Sequence, residues 1–164
     1  MPKDQGVDSK LYDKEYFESV DGAQYFAENK TAPKFIYAVN ISGLTTGDSA
    51  LDIGCGRGDL LMALAQKGAD VTGIDYSEEA LKIAQKAIAK QSTEWKHRIK
   101  VLQSNATSLK FPDQTFDYVF MTDIVEHLYP SELQKCFEEC KRVLKPGGKL
   151  IVHTAPNRWY NDFG

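Results

Sequence analysis

At 164 residues the chain has room for one domain with a sizeable buried core. Hydrophobic residues at 42% and charged residues at 26% are ordinary for a globular protein, and a net charge of -3 with a pI near 5.6 gives no overall attraction to nucleic acid or anionic membrane. No apolar run is long enough to span a bilayer, and Met1-Pro2-Lys3-Asp4-Gln5 lacks the apolar core of a secretion signal, so a cytoplasmic location is the expectation.

In chain order, residues 1–10 are polar, and Tyr12, Tyr16, Phe17, Tyr25 and Phe26 then recur among acidic residues in one or two short helices. Pro33 suits the first turn of a helix that carries Phe35, Ile36, Val39 and Ile41 and stops at Ser42-Gly43. Strand one is expected over 49–53, a helix from Leu60 to Lys67, and strand two over 69–74. Ser77 with Glu78 and Glu79 opens the next helix, whose buried side is Leu81, Ile83, Ala84, Ala87 and Ile88. Strand three is 99–102 and strand four 116–121, after the turn Phe111-Pro112-Asp113-Gln114. A helix over 131–144 with Leu133, Phe137, Val143 and Leu144 inward ends at Lys145-Pro146-Gly147-Gly148, and strand five is 149–153. Strands alternating with helices predict an α/β, doubly wound, mostly parallel sheet with helices on both faces and a ligand crevice at the carboxyl ends of the strands.

The stretch Leu51-Asp52-Ile53-Gly54-Cys55-Gly56-Arg57-Gly58 is the organising feature: a buried strand, a glycine-rich turn and a helix N-terminus. Glycine lets the backbone approach a ligand closely, and the free N–H groups of the helix point at whatever lies over the turn. The spacing G-x-G-x-G differs from the dinucleotide fingerprint G-x-G-x-x-G. Together with Asp52 ahead of it and Gly73-Ile74-Asp75 about 20 residues on, the stretch resembles the first two motifs of the class I S-adenosylmethionine-dependent methyltransferases. The resemblance extends to about residue 157, and it divides the chain into an N-terminal helical segment, 1–44, covering the site, and a core, 45–164, that binds the cofactor.

Residue by residue, the resemblance implies a Rossmann-like site at the strand ends. Asp75 would accept from both ribose hydroxyls, since a carboxylate takes two donors at once; its alternative role is to cap the following helix. Tyr76 would offer its ring to adenine or simply pack. Asn105 and Ala106 stand where the family usually has an acid and a backbone N–H for adenine, and the amide is a neutral and weaker acceptor. Asp52, Gly54 and Gly56 would surround the amino-acid end of the cofactor, with Asp52 orienting the loop or a water; Cys55 and Thr122 would be further cofactor contacts, and Tyr12, Tyr16 or Phe17 would close over the ligand or pack on the core. Gly58 is divided between ligand approach and helix packing. Met121-Thr122-Asp123-Ile124-Val125-Glu126-His127 resembles the fourth-strand motif; Asp123 and His127 are the catalytic candidates, His127 as base because imidazole titrates near neutrality. His97 and His153 are assigned no role. Cys55, Cys136 and Cys140 show no Cys/His cluster at ligand spacing, so no metal is expected.

The implied function is methyl transfer from S-adenosylmethionine to a small-molecule acceptor, at oxygen. Methylation of RNA or protein is the alternative, disfavoured for nucleic acid by the charge balance, and a non-catalytic cofactor-binding module is another. The family sheet has two further strands after the fifth, for which Ala155 to Gly164 leaves no room. The expectation is therefore a piece of a longer enzyme, or a fifth-strand edge covered by a second chain in a dimer or by Trp159, Tyr160 and Phe163.

Overall fold

The computed structural model describes residues 15, 16, 24, 25, 28 and 30–154. Tyr12, Phe17 and the terminal aromatics Trp159, Tyr160 and Phe163, to which roles were attached above, lie outside the described residues.

The elements are α1 (Pro33–Ser42), β1 (Ser49–Ile53), α2 (Asp59–Gln66), β2 (Asp70–Asp75), α3 (Glu78–Ala89), α4 (Thr93–Lys96), β3 (Ile99–Gln103), β4 (Phe116–Thr122), a 3-10 turn (Val125–His127), α5 (Pro130–Val143) and β5 (Leu144–His153). Five strands form one parallel sheet in the order β3-β2-β1-β4-β5. The order reverses at β1, which puts the switch-point crevice at the carboxyl ends of β1 and β4, as the alternation of elements implied.

Two apolar layers hold the sheet. One packs α1, α2 and α3 on it through Val39, Leu60, Leu61, Leu64, Leu81, Ala84 and Phe120; the other packs α5 on the opposite face through Leu51, Ile53, Ile74, Val119, Met121, Cys136, Cys140 and Val143. Ser77 accepts from the Ala80 N–H as the N-cap of α3, with Glu78 and Glu79 in the first turn. Gly73 decides how closely α2 can lie: a Cβ there would stand 2.6 Å from Leu61 Cδ1 and 3.0 Å from Cys55 Cβ. Steric room, not turn geometry, is what this residue supplies.

Three expectations are corrected. Ile36 and Ile41 are exposed, and α1 buries Ala38 and Ser42 beside the expected Val39. Phe137 is exposed as well; α5 buries its small residues Cys136 and Cys140, whose thiols sit against Met121 Sδ at 3.9 and 3.7 Å. A thiol lets the helix approach the sheet more closely than a phenyl ring could. The fifth strand begins at Leu144, five residues earlier than expected. Leu144 pairs with Phe116 and Lys149 with Tyr118, so the Pro146-Gly147-Gly148 segment is accommodated as a bulge on a continuous strand.

Candidate active site

The turn after β1 is tied to the end of β2. Gly54 N–H and Cys55 N–H both donate to the Ile74 carbonyl, at 2.8 and 2.9 Å. Gly54 has φ of 76° and a Cβ there would lie 2.8 Å from Ile124 Cδ1, so two separate constraints require glycine. Ile124 follows β4, and its packing on Gly54 brings the ends of β1 and β4 together. Gly58, with φ of 87° as the N-cap of α2 and an added Cβ 3.3 Å from Ala84, is explained by the turn and by helix packing.

Asp75 ends β2 and is buried. Its Oδ2 accepts from Gly56 N–H and its Oδ1 from Ser77 N–H, both at 2.9 Å. The carboxylate thus clamps the glycine turn to the start of α3, and its two oxygens together have more lone pairs than these donors use. Burial pushes its pKa up, against the pull of the Ser77, Gly56 and Tyr76 N–H groups.

Asp52 lies one position before the end of β1, 1% exposed, and its Oδ1 has no hydrogen-bond partner. Burial, and then the charges of Asp75, Asp59 and Asp123, push its pKa up to about 8. Asp59, the first residue of α2, is buried with one oxygen 3.2 Å from Arg57 Nε and the other without a partner; burial pushes its pKa up and Arg57 opposes this. Burial and the neighbouring Asp52 and Asp75 charges hold the Cys55 thiol well above its ordinary value, which makes it a poor nucleophile. A buried carboxylate oxygen without a donor, beside three other acids, matches a ligand that brings its own cationic hydrogen-bond donor.

Across the switch point, Thr122 is buried and pairs with His153 at the ends of β4 and β5. Asp123 follows with φ of 56°, an unfavourable backbone for a residue with a side chain. Its N–H donates to the His153 carbonyl at 2.8 Å, its Oδ1 lies 2.8 Å from His153 Nδ1, and its Oδ2 lies 2.6 Å from Lys34 Nζ on α1. Tyr16 stands in the same region: burial raises its pKa, and Glu126, Asp123 and Asp75 add to the rise while Lys34 opposes it.

The sequence-derived residues therefore gather at one end of the sheet, with differences in detail. Asn105 is exposed, and its Oδ1 already accepts from Thr107 N–H and Thr107 Oγ1, both at 2.9 Å, so the oxygen expected to receive adenine is engaged in a local turn. Ala106 is buried in the apolar layer beneath. Tyr76 is exposed, and Gln103 Nε2 donates to its carbonyl at 3.0 Å. His127 closes the 3-10 turn beyond β4, its N–H on the Ile124 carbonyl. His153, which the sequence left without a role, holds Asp123, and Lys34 was not singled out at all. Position at a strand end was the available signal for His153; nothing local marked Lys34, whose partner is 89 residues away.

The family profile described as a methyltransferase domain matches residues 51–152. The chain belongs to the class I S-adenosylmethionine-dependent methyltransferases. It is 34% identical over 149 residues to the demethylmenaquinone methyltransferase of Bacillus licheniformis, covering 89% of this chain and 60% of that protein. It is 35% identical over 108 residues to the ubiquinone biosynthesis O-methyltransferase of Pseudomonas entomophila, covering 66% of the chain and 44% of the relative. A solved S-adenosylmethionine-dependent methyltransferase from Methanosarcina mazei superposes with a TM-score of 0.64 at 37% identity, covering 70% of this chain and 55% of that one. The chain thus spans roughly half the length of such relatives. None of its helices, among the described residues, is long and apolar enough to cross a membrane.

Proposed function

We propose that this chain is the cofactor-binding part of an S-adenosylmethionine-dependent methyltransferase that acts in the cytoplasm on a small hydroxylated acceptor. The observation that carries the cofactor is the pairing of Asp75, clamped between Gly56 and Ser77, with the partnerless buried Oδ1 of Asp52. Asp75 would receive the ribose hydroxyls on its remaining lone pairs, and Asp52 would receive the α-ammonium. When bound, S-adenosylmethionine supplies a methyl group on a sulfonium, a good leaving group.

The protein's work is then alignment and, for a hydroxyl acceptor, removal of one proton. The names of the relatives favour a small molecule, and one of them names an O-methyltransferase. The N-terminal segment 1–44, through Tyr16 and Lys34, would close over the crevice. The edge of β5, paired on one side only among the described residues, is the candidate surface for a dimer.

Calorimetric titration with S-adenosylmethionine, S-adenosylhomocysteine and NAD tests the cofactor. Micromolar binding of the first two is expected; binding of NAD alone would overturn the reading. A screen of hydroxylated acceptors for S-adenosylhomocysteine formation then identifies the substrate.

A further inference from the structure

We infer that His153 at the end of β5, held by Asp123, which Lys34 in turn holds, is the base that takes the proton from the acceptor hydroxyl, in place of His127. This rests on the methyl-transfer reading above. Three elements converge to build it. His153 Nδ1 lies 2.8 Å from Asp123 Oδ1, and Lys34 Nζ from α1 lies 2.6 Å from the other oxygen of the same carboxylate. A carboxylate only accepts, so Nδ1 carries the ring proton and Nε2 is the basic nitrogen. This is the orienter-and-base arrangement, here with a partly buried acid that fixes the tautomer and stabilises the imidazolium that forms. His153 is partly exposed, 37% at the side chain, as a group that must meet a diffusing acceptor requires.

The backbone supports the same assignment. Asp123 adopts φ of 56° and receives a second tie to β5 through its N–H on the His153 carbonyl. Strain at a non-glycine residue persists where surrounding contacts over-determine it, and such residues cluster at functional sites. Position agrees too. Thr122 pairs with His153, and Ile124, next after Asp123, packs on Gly54 of the turn that would hold the cofactor, so the histidine stands two strands from β1 on the side opposite Asp75. Among the described residues the charged groups around it are Asp123 after β4, Lys34 on α1, and Glu126 of the 3-10 turn, which accepts from Thr154 at 2.8 Å.

In the step itself the acceptor O–H bond breaks and an Nε2–H bond forms. The freed oxygen pair makes the new bond to the methyl carbon, the carbon–sulfur pair returns to sulfur, and the imidazolium later loses its proton to water.

The test uses this chain saturated with S-adenosylhomocysteine, and 4-nitrocatechol as an acceptor probe whose absorbance reports ionisation. At a pH below the probe's own first ionisation, the wild-type complex should bind it as the phenolate. His153→Gln should lower that phenolate binding at least tenfold while S-adenosylhomocysteine affinity changes less than threefold. Asp123→Asn, which suits the left-handed backbone and removes the charge, should do the same and serves if His153→Gln does not fold. His97→Gln, whose ring contacts the Thr93 carbonyl on α4, is the control and should match wild type. An undiminished phenolate band in both site variants, or no binding of the probe to the wild-type complex, overturns the assignment. Failure of S-adenosylhomocysteine itself to bind overturns the cofactor reading as well, and the two failures are told apart by the calorimetry.

Discussion

Two carboxylates at adjacent strand ends do different work, and their variants separate the roles. Asp75 is at once a clamp for the Gly56 and Ser77 N–H groups and the proposed ribose acceptor, so Asp75→Ala should weaken S-adenosylmethionine binding by about 1.5–3 kcal/mol for each charge-assisted bond lost and also lower the melting temperature. Unchanged affinity in a folded variant, read by calorimetry, would remove it from the site. Asp52 behaves oppositely toward stability. Its folded pKa, about 8, lies above the value of about 3.9 expected when unfolded, so the native state holds a proton that the unfolded state releases. Its contribution is intact below about pH 4 and is lost as pH rises through about 8. Asp52→Asn should therefore melt close to wild type at pH 4 and above it at pH 8, while binding the cofactor more weakly at pH 8. A variant no more stable than wild type at pH 8 would mean that Asp52 is not held neutral.

At the scale of elements, the ends of the strands opposite the crevice carry a latch. Asp117 Oδ2 accepts from Ser49 N–H at 2.9 Å, Ser49 Oγ at 2.7 Å and Lys145 Nζ at 2.8 Å, joining the starts of β1 and β4 to the bulge of β5. Burial opposes its ionisation, but these donors hold its pKa down to about 2. The added stability is full above about pH 4 and lost as pH falls through about 2. Because the pair is partly exposed and screened, Asp117→Asn should cost about 1–2 kcal/mol at pH 7, seen in urea titrations, and much less at pH 2. Between α2 and β2, Gly73→Ala would place a methyl 2.6 Å from Leu61 Cδ1, a cost of about 1–3 kcal/mol; Leu61→Ala in the same chain should recover part of it. Strand and helix order was legible because each element carries its own period and caps. The side that α1 and α5 bury was not, since Ile41 and Phe137 fit an inward stripe as well as Ser42 and Cys136 do, and only the tertiary fit chooses the smaller residues.

For the molecule as a whole, the acidic site residues and the glycine turn were legible because a doubly wound sheet sends every strand end to the same crevice, so position along the chain predicts position in space. Partners brought from far away were not: Lys34 to Asp123 spans 89 residues, and the Asp123 backbone strain has no sequence signature beyond the residue type. What the assembled crevice adds is a field. Burial first, and then the charges of Asp75, Asp59 and Asp123, raise the Asp52 pKa, although the chain's net charge is only -3. S-adenosylmethionine carries one more positive charge than S-adenosylhomocysteine, so the same crevice should favour the methyl donor over the spent product. Part of that preference is Coulombic and screened by ions over a Debye length of about 8–10 Å at 0.10–0.15 M salt. Donor affinity should therefore fall with added potassium chloride while product affinity changes little, and at pH 9, above the Asp52 pKa of about 8, Asp52→Asn should flatten the donor's salt dependence. Parallel slopes for the two ligands in wild type, measured by calorimetry, would show that discrimination comes from contact at the sulfur alone and that the acidic cluster serves only the ammonium they share.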